Sequence, residues 1–569
     1  MAGIDPIDLV VILMYFAAIS YIGLRSSKRV KDTGDFFMGG RKFGKLLMVA
    51  KAFGVGTRAD LAVAVSGASY QLGLSGIWYQ WLYIFSTPFY WIVAPIYRRL
   101  RYLTTGDFFE ERYGRSAGTA YTVIALLYFS VTIGTVLRGI GTTVEAITRG
   151  QLSGNLTIFI TTLVFVGYSA TGGLVAAVST KLLQGTLLLV LSLLLIPFSL
   201  SAVGGFSGLH KQLVPEMISQ VARSEVTLFF IIMVVINALV GVVSLPHHMA
   251  VGGAGKTEMN CRTGWTYGNV TKRVVTLFWA FLGLFAAVLF PGLGNAAREQ
   301  AFGMMITHLL PAGMVGLMIA AMIASVMALC DAFMVDGSAL FTRNIYKKYV
   351  HENRSEKHYL TVARWSSVGV VAIGILIAFF LSNVISGLKA LWTIMAFTGI
   401  PFWMAISWRR GNRYGFWASV IVTSGVYFLT RSIGWSYPAQ IVAYLSTGTI
   451  TFIVTSLVTV PEPEKKLHAF YALLHTPVGE EYKLRNAGVE IVHEGTIPEE
   501  GVVSENDEPD ATIRSLEDKG HGLLIVDLLQ LFKTFSFRKY RIDIVGFAAA
   551  WGLVLSIILL AVIIARIGA

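Results

Sequence analysis

Charge is scarce in this 569-residue chain: Asp, Glu, Lys and Arg together make up 14% of it, against 55% hydrophobic residues. A soluble protein carries about 25% charged residues, so the composition excludes an ordinary water-soluble globule and points to a bilayer. Cysteine is nearly absent too. Cys261 and Cys330 alone exclude a disulfide framework and a cysteine-rich metal centre. No Gly-x-x-x-x-Gly-Lys-Ser/Thr, Gly-x-Ser-x-Gly or His-Glu-x-x-His pattern occurs, so ATP-driven transport and hydrolase chemistry have no support. The expectation is a protein that is not an enzyme, with no cofactor and no metal site. A formal charge of +13 would suggest nucleic acid in a soluble chain. Here the basic residues flank apolar runs, and the positive-inside rule accounts for them without a nucleic-acid partner.

What is present is long apolar runs. Stretches such as 226–243, 274–290 and 544–564 reach the ~20 helical residues that cross a hydrocarbon core. Lipid offers the backbone no hydrogen-bond partner, so spans are helices or a closed barrel; continuous rather than alternating runs decide for helices. Hydropathy gives about fourteen transmembrane helices, at 5–24, 46–71, 75–98, 117–147, 154–171, 175–201, 226–246, 272–293, 311–343, 361–383, 386–407, 413–432, 437–460 and 543–566. Basic residues gather in alternate loops, among them Arg98, Arg99, Arg101, Arg112, Arg262, Lys272, Arg273, Arg343 and Lys348. That alternation predicts an N-terminus outside the cytoplasm of an integral protein of a prokaryotic cytoplasmic (inner) membrane. The opening segment has no basic n-region or small-residue cleavage site and reads as a retained helix.

The segment 461–542 is the one long non-membrane stretch. Its acidic, aromatic-free middle, 494–519, reads as a flexible cytoplasmic linker. Leu523–Phe537 looks amphipathic and, with Arg538, Lys539 and Arg541 behind it, suits either anionic lipid or a protein partner. The helix at 543–569 then stands apart as an appendage. Two spans contain interruptions, Gly54-Val55-Gly56-Thr57 and Gly241-Val242-Val243-Ser244-Leu245-Pro246. They open two sets of five helices, 46–201 and 226–407, preceded by a first helix and segment at 1–45 and followed by two further helices at 408–460. Paired broken helices point to inverted repeats with a binding site at mid-membrane.

Several loops carry a more specific signal. Asp35-Phe36-Phe37-Met38-Gly39-Gly40-Arg41, Ser66-Gly67-Ala68-Ser69-Tyr70-Gln71-Leu72-Gly73, Thr105-Gly106-Asp107-Phe108-Phe109-Glu110-Glu111-Arg112-Tyr113-Gly114 and Ser338-Ala339-Leu340-Phe341-Thr342-Arg343-Asn344-Ile345-Tyr346 together resemble the sodium:solute symporter family. The resemblance implies an all-α membrane protein of the leucine-transporter fold, a five-plus-five inverted-repeat core working by alternating access. It also implies transport of a small organic solute, usually driven by sodium. The fourteen-span layout with a long loop before the last helix is similar to the sugar-transporting branch, which does not make a sugar the substrate.

At the family's sodium site the chain departs from the pattern. Family members hold sodium between carbonyls of the broken first core helix and two adjacent hydroxyl side chains of the ninth span. Anchored on Phe341–Tyr346, the resemblance puts those hydroxyl positions on Ala328 and Leu329, and the carbonyl positions near Gly54, Thr57 and Ser325. Losing two oxygens should weaken a hard cation severely. Meanwhile Arg58 stands where the family usually has a small polar residue, and Lys181 replaces the aspartate of its Thr-Asp-x-x-Gln segment. Asp60, Asp331 and Asp336 complete a set of intramembrane charges. Such charges are costly unless paired and are functional candidates by default. Two readings stay open. Arg58 or Lys181 stands in for sodium, with Arg58 only a fixed cation, or the charges form an ion-pair network that merely holds the bundle.

Gln80 and Trp81 fall where the family often places a polar substrate contact and its aromatic neighbour; interface anchoring is the plainer alternative. Leu61 replaces a polar side chain of sugar-transporting relatives. Arg138 suits either an anion or snorkelling to the headgroups, and His247-His248 reads as a helix end at the cytoplasmic face. The overall expectation is a secondary transporter of a small polar or anionic solute, independent of sodium. The alternatives are a conventional sodium symporter and a transporter-derived sensor or structural subunit.

Overall fold

A computed structural model describes residues 4–27, 44–56, 58–222, 225–294, 297–489, 522–529 and 535–568. Among them the chain is helical, with no strand. Seven helices are each long and apolar enough to cross a membrane, and two bent pairs raise that to nine. Two other spans expected from hydropathy are broken within the chain. Residues 46–71 divide into Lys45–Gly56 and Ala59–Leu72, and 75–98 into short turns followed by Phe89–Leu100. The spans expected at 154–171 and 175–201 instead form one helix, Gly154–Val203. Gly172 and Gly173 permit a break there, but no proline within 154–196 forces one.

Small residues let the core helices approach closely, as membrane packing favours. A Cβ added at Gly264 would sit 2.3 Å from Met48 Cβ, and one at Gly283 2.3 Å from the Ser66 carbonyl. The Glu258–Leu289 helix therefore lies directly against both halves of the first broken helix. Met314–Leu340 is buried along its apolar window, and Glu356–Phe380 crosses Arg115–Ile147 at a Gly134–Gly374 contact. Helix ends are closed from neighbouring elements. Asp8 Oδ1 accepts from the Gly313 and Gly316 amides, both at 2.7 Å, at the start of Met314–Leu340. Glu299 does the same for Val384 at 3.0 Å, at the start of Val384–Ser407. These acceptors satisfy donors that a helix cannot satisfy itself.

Two expectations for the C-terminal region are corrected. The part of 461–542 that precedes residue 490 is docked structure: Glu464–His475 buries Leu467, Phe470, Tyr471 and Leu474, and Tyr471 Oη donates to the Ala405 carbonyl at 2.9 Å. The stretch 494–519 lies outside the described residues. The last helix, Phe537–Arg566, does not stand apart either. Asp543 pairs with Arg262, the Trp91 indole donates to the Ile542 carbonyl at 2.9 Å, and a Cβ at Gly546 would run into the Trp91 ring. Within 523–537, Leu524–Leu529 buries Ile525 and Val526, while the Asp527 carboxylate accepts from Tyr540 Oη at 2.7 Å.

Candidate solute site at the helix breaks

Both interruptions expected from glycine are real breaks. At the first, Arg58 takes an extended conformation (φ −134°, ψ 143°) ahead of Ala59–Leu72. Its carbonyl accepts from the Leu61 and Ala62 amides, and the Ala59 amide donates to Ser325 Oγ at 3.0 Å. Ser325 thus caps the second half-helix from across the bundle. The Arg58 guanidinium folds onto Asp60 in a two-bond fork, 3.0 Å from Nε to Oδ1 and 2.7 Å from Nη2 to Oδ2. The planar guanidinium matches a carboxylate in that geometry. Asp60 itself presses on Gly139, where a Cβ would lie 3.1 Å from its Cα.

At the second break, Leu228–Val242 and His247–Gly253 meet at a 66° bend. The carbonyls freed there are taken up by hydroxyls. Tyr97 Oη donates to Val243, Tyr121 Oη to Ser244 at 2.5 Å, and Thr105 Oγ1 to Pro246 at 3.3 Å. Without those donors the bend would leave buried acceptors unmatched, at a cost of about 1–3 kcal/mol each.

Between the breaks lies a cavity of about 100 Å³. Arg58, Lys272 and Arg273 reach its wall, with Gln80, Asn269, His247 and His248, and its apolar surface comes largely from Tyr79, Tyr83, Tyr90, Tyr128, Trp265 and Trp392. Among the described residues no carboxylate lines it. Arg273 is 1% exposed and is fixed by Gln80 Oε1 at 2.9 Å and Thr87 Oγ1 at 3.2 Å; Thr276 Oγ1 donates to the same Gln80 oxygen at 3.1 Å. Neither Lys272 nor Arg273 has a described carboxylate within ion-pair distance, whereas Arg58 is matched by Asp60. Among the described residues, the lining therefore carries two cations without an ion-pair partner.

The sequence candidates separate as follows. Arg58 and Asp60 pair at the break, and Gln80 lines the cavity while holding Arg273. Trp81 does not line it: the ring is fully buried and its Nε1 donates to the Arg273 carbonyl at 3.0 Å. Asp331 is buried and Asp336 half-buried, both off the cavity wall. Ala328 and Leu329 are buried on the helix that carries Ser325 and bring no oxygen. Thr57 lies outside the described residues, and of Gly54 and Lys181 the helical backbone alone is described. Among the described residues no group of three or more His, Cys, Asp or Glu is placed to hold a metal ion.

Lys272 and Arg273 correct the loop reading. They sit at the middle of Glu258–Leu289, about 21–24 Å from either end at 1.5 Å per residue. A signal for them exists in the sequence: Asn269, Lys272, Arg273 and Thr276 recur at i, i+3, i+4 and i+7, a polar stripe along one helix face. His247 and His248 open the His247–Gly253 helix, as a helix-end reading expects, and both also line the cavity.

Comparison with known proteins places this geometry. The model described as "Sodium:solute symporter family" matches residues 36–425. Sodium/glucose cotransporter 1 of Oryctolagus cuniculus is 23% identical over 571 residues, covering 88% of this chain and 85% of its own. The sodium/pantothenate symporter of Haemophilus influenzae is 25% identical, covering 75% of this chain and 91% of its own. Among solved structures, a Na+-coupled sialic acid symporter in a substrate-bound outward-open state superposes with a TM-score of 0.68 at 19% identity, over 81% of this chain and 99% of that one. That likeness gives the leucine-transporter fold.

Proposed function

Because the chain belongs to the sodium:solute symporter family and is an integral membrane transporter rather than an enzyme, we propose that it moves a small organic anion by alternating access without sodium. The observation that carries the reading is the cavity wall, where Lys272 and Arg273 stand without a carboxylate between the two helix breaks. A buried charge without a partner is costly in a membrane interior, so a site of this charge favours an anion over a neutral solute. Relatives named for glucose and for pantothenate, the latter a carboxylate, differ in the charge of their solutes, so family membership alone leaves the choice open.

Sodium independence rests on the first break. Ala328 and Leu329 supply no side-chain oxygen, and the Arg58 guanidinium already lies beside the break in a fork with Asp60. In this reading Arg58 is a built-in counterpart of the ion that relatives import. The protein is placed in a prokaryotic cytoplasmic membrane with its N-terminus outside, as the distribution of loop charge supports.

The test is uptake of labelled organic anions into proteoliposomes, with sodium and potassium exchanged on both sides. Equal uptake in either salt is the expected result. A strict sodium requirement overturns the sodium-free reading in favour of a conventional symporter. Saturable binding with no uptake in either salt favours a solute sensor built on a transporter frame.

A further inference from the structure

The charge count of the cavity says more than "anion". Resting on the anion reading above, we infer that the solute is a dianion with a planar apolar body, its two acidic groups meeting Lys272 and Arg273 separately. Three observations carry this. First, the uncompensated charge is two, since Arg58 is matched by Asp60 while Lys272 and Arg273 have no described carboxylate within 4.0 Å. A monoanion would leave one cation unmatched in the membrane interior.

Second, the two cations cannot readily converge on one group. Consecutive residues of a helix project about 100° apart. Arg273 is held in place by Gln80 and Thr87 on one side of its guanidinium, which leaves its remaining N–H groups aimed at a fixed position. Lys272 reaches the same cavity on a flexible stem. Two acidic groups separated by a spacer fit that divergence better than one.

Third, the spacer must suit an aromatic wall. Tyr90 and Trp265 stack at 5.1 Å with their planes 6° apart, and Tyr79 and Trp392 meet at 6.1 Å, tilted by 37°. All four line the cavity. Flat ring faces favour a planar body and offer little to a polyhydroxylated one, and Leu61 on the same wall adds no hydrogen-bonding group.

The experiment is ligand-induced thermal stabilisation and isothermal binding of the purified full-length protein with terephthalate, benzoate, terephthalamide and succinate. Terephthalate is expected to bind at least tenfold tighter than benzoate or succinate, and terephthalamide not to bind. Lys272→Met should bring terephthalate down to the benzoate level, and Lys272→Arg should retain the preference, which separates loss of charge from loss of fold. Benzoate binding as tightly as terephthalate overturns the dianion inference and leaves the anion reading standing. Binding of terephthalamide alone overturns both. Succinate at the terephthalate level removes the planar body, and failure of every dianion in the panel overturns the inference as a whole.

Discussion

The basic rim of the bundle and the cavity at its centre use the same residue types to opposite ends. At the rim, arginine and lysine find partners within the chain: Arg99 with Glu258, Arg101 with Glu481, Arg262 with Asp543, Arg343 with Asp107, Lys348 with Glu110. Arg112, which has no described carboxylate partner, donates instead to carbonyls of Ala405, Trp408 and Gly411 at the end of Val384–Ser407, where a helix leaves acceptors free. In the cavity, Lys272 and Arg273 are left without such a partner. One helix, Glu258–Leu289, carries both arrangements, with Arg262 closed by the chain and Lys272 and Arg273 open to a ligand. Cations of the rim complete the fold, and those of the cavity wait for something from outside it.

The sharpest break of that contrast is a pair of substitutions on either side of it. Asp543→Ala should cost about 3–5 kcal/mol, the usual consequence of stranding one member of a buried pair. Lys272→Met should leave the melting temperature unchanged or raised, because it removes a buried charge with no ion-pair partner among the described residues. Thermal denaturation in detergent reads both, and a large loss of stability in Lys272→Met would mean that the cavity cations are structural after all.

A smaller effect tests the rim through pH. Burial pushes the Asp107 carboxyl up, but Arg343, Lys348 and the Asn344 amide together hold it below the ordinary aspartate range. A carboxyl depressed in the folded state adds stability at neutral pH. That contribution is lost as pH falls from about 4, the unfolded value, through the folded one. The protein should therefore melt earlier below pH 4, and Asp107→Asn should flatten that acid limb. An unchanged limb in the variant would remove Asp107 from the network.

The smallest expected effect lies at the first break. Ser325→Ala removes the acceptor for the Ala59 amide and should cost about 1 kcal/mol, as loss of a helix cap does. Solute binding should remain the same in sodium and potassium. A gain or loss of sodium response in this variant would show that Ser325 Oγ belongs to an ion site.

How far the sequence could be read depended on the scale of the signal. Both breaks were legible because glycine clusters and a proline interrupt otherwise apolar runs, and Arg58 and Asp60 stood out as charges inside one. Gln80 was legible by resemblance, although its bond to Arg273 was not. Lys272 and Arg273 were misplaced for a physical reason: a hydropathy window averages around the helix, so the polar residues before 272, Glu258, Asn260 and Arg262 among them, hid the first half of the helix. The docked stretch 464–489 was missed because its apolar residues are interleaved with charge and pair with partners distant in sequence, such as Tyr471 with Ala405. Trp81 looked like a site aromatic because burial and exposure to a cavity are indistinguishable from composition alone.

The clamp on the final helix has a bearing on how the protein is made. Trp91 and Ile542, joined by an indole–carbonyl bond, are 451 residues apart, and Arg262 also waits for Asp543. Throughout most of synthesis the nascent chain therefore holds an arginine at the bundle edge with no carboxylate to receive it. Arrival of the last helix removes that exposed mismatch, so a chain cut short before residue 543 differs from a finished one in a feature that membrane quality control is able to detect.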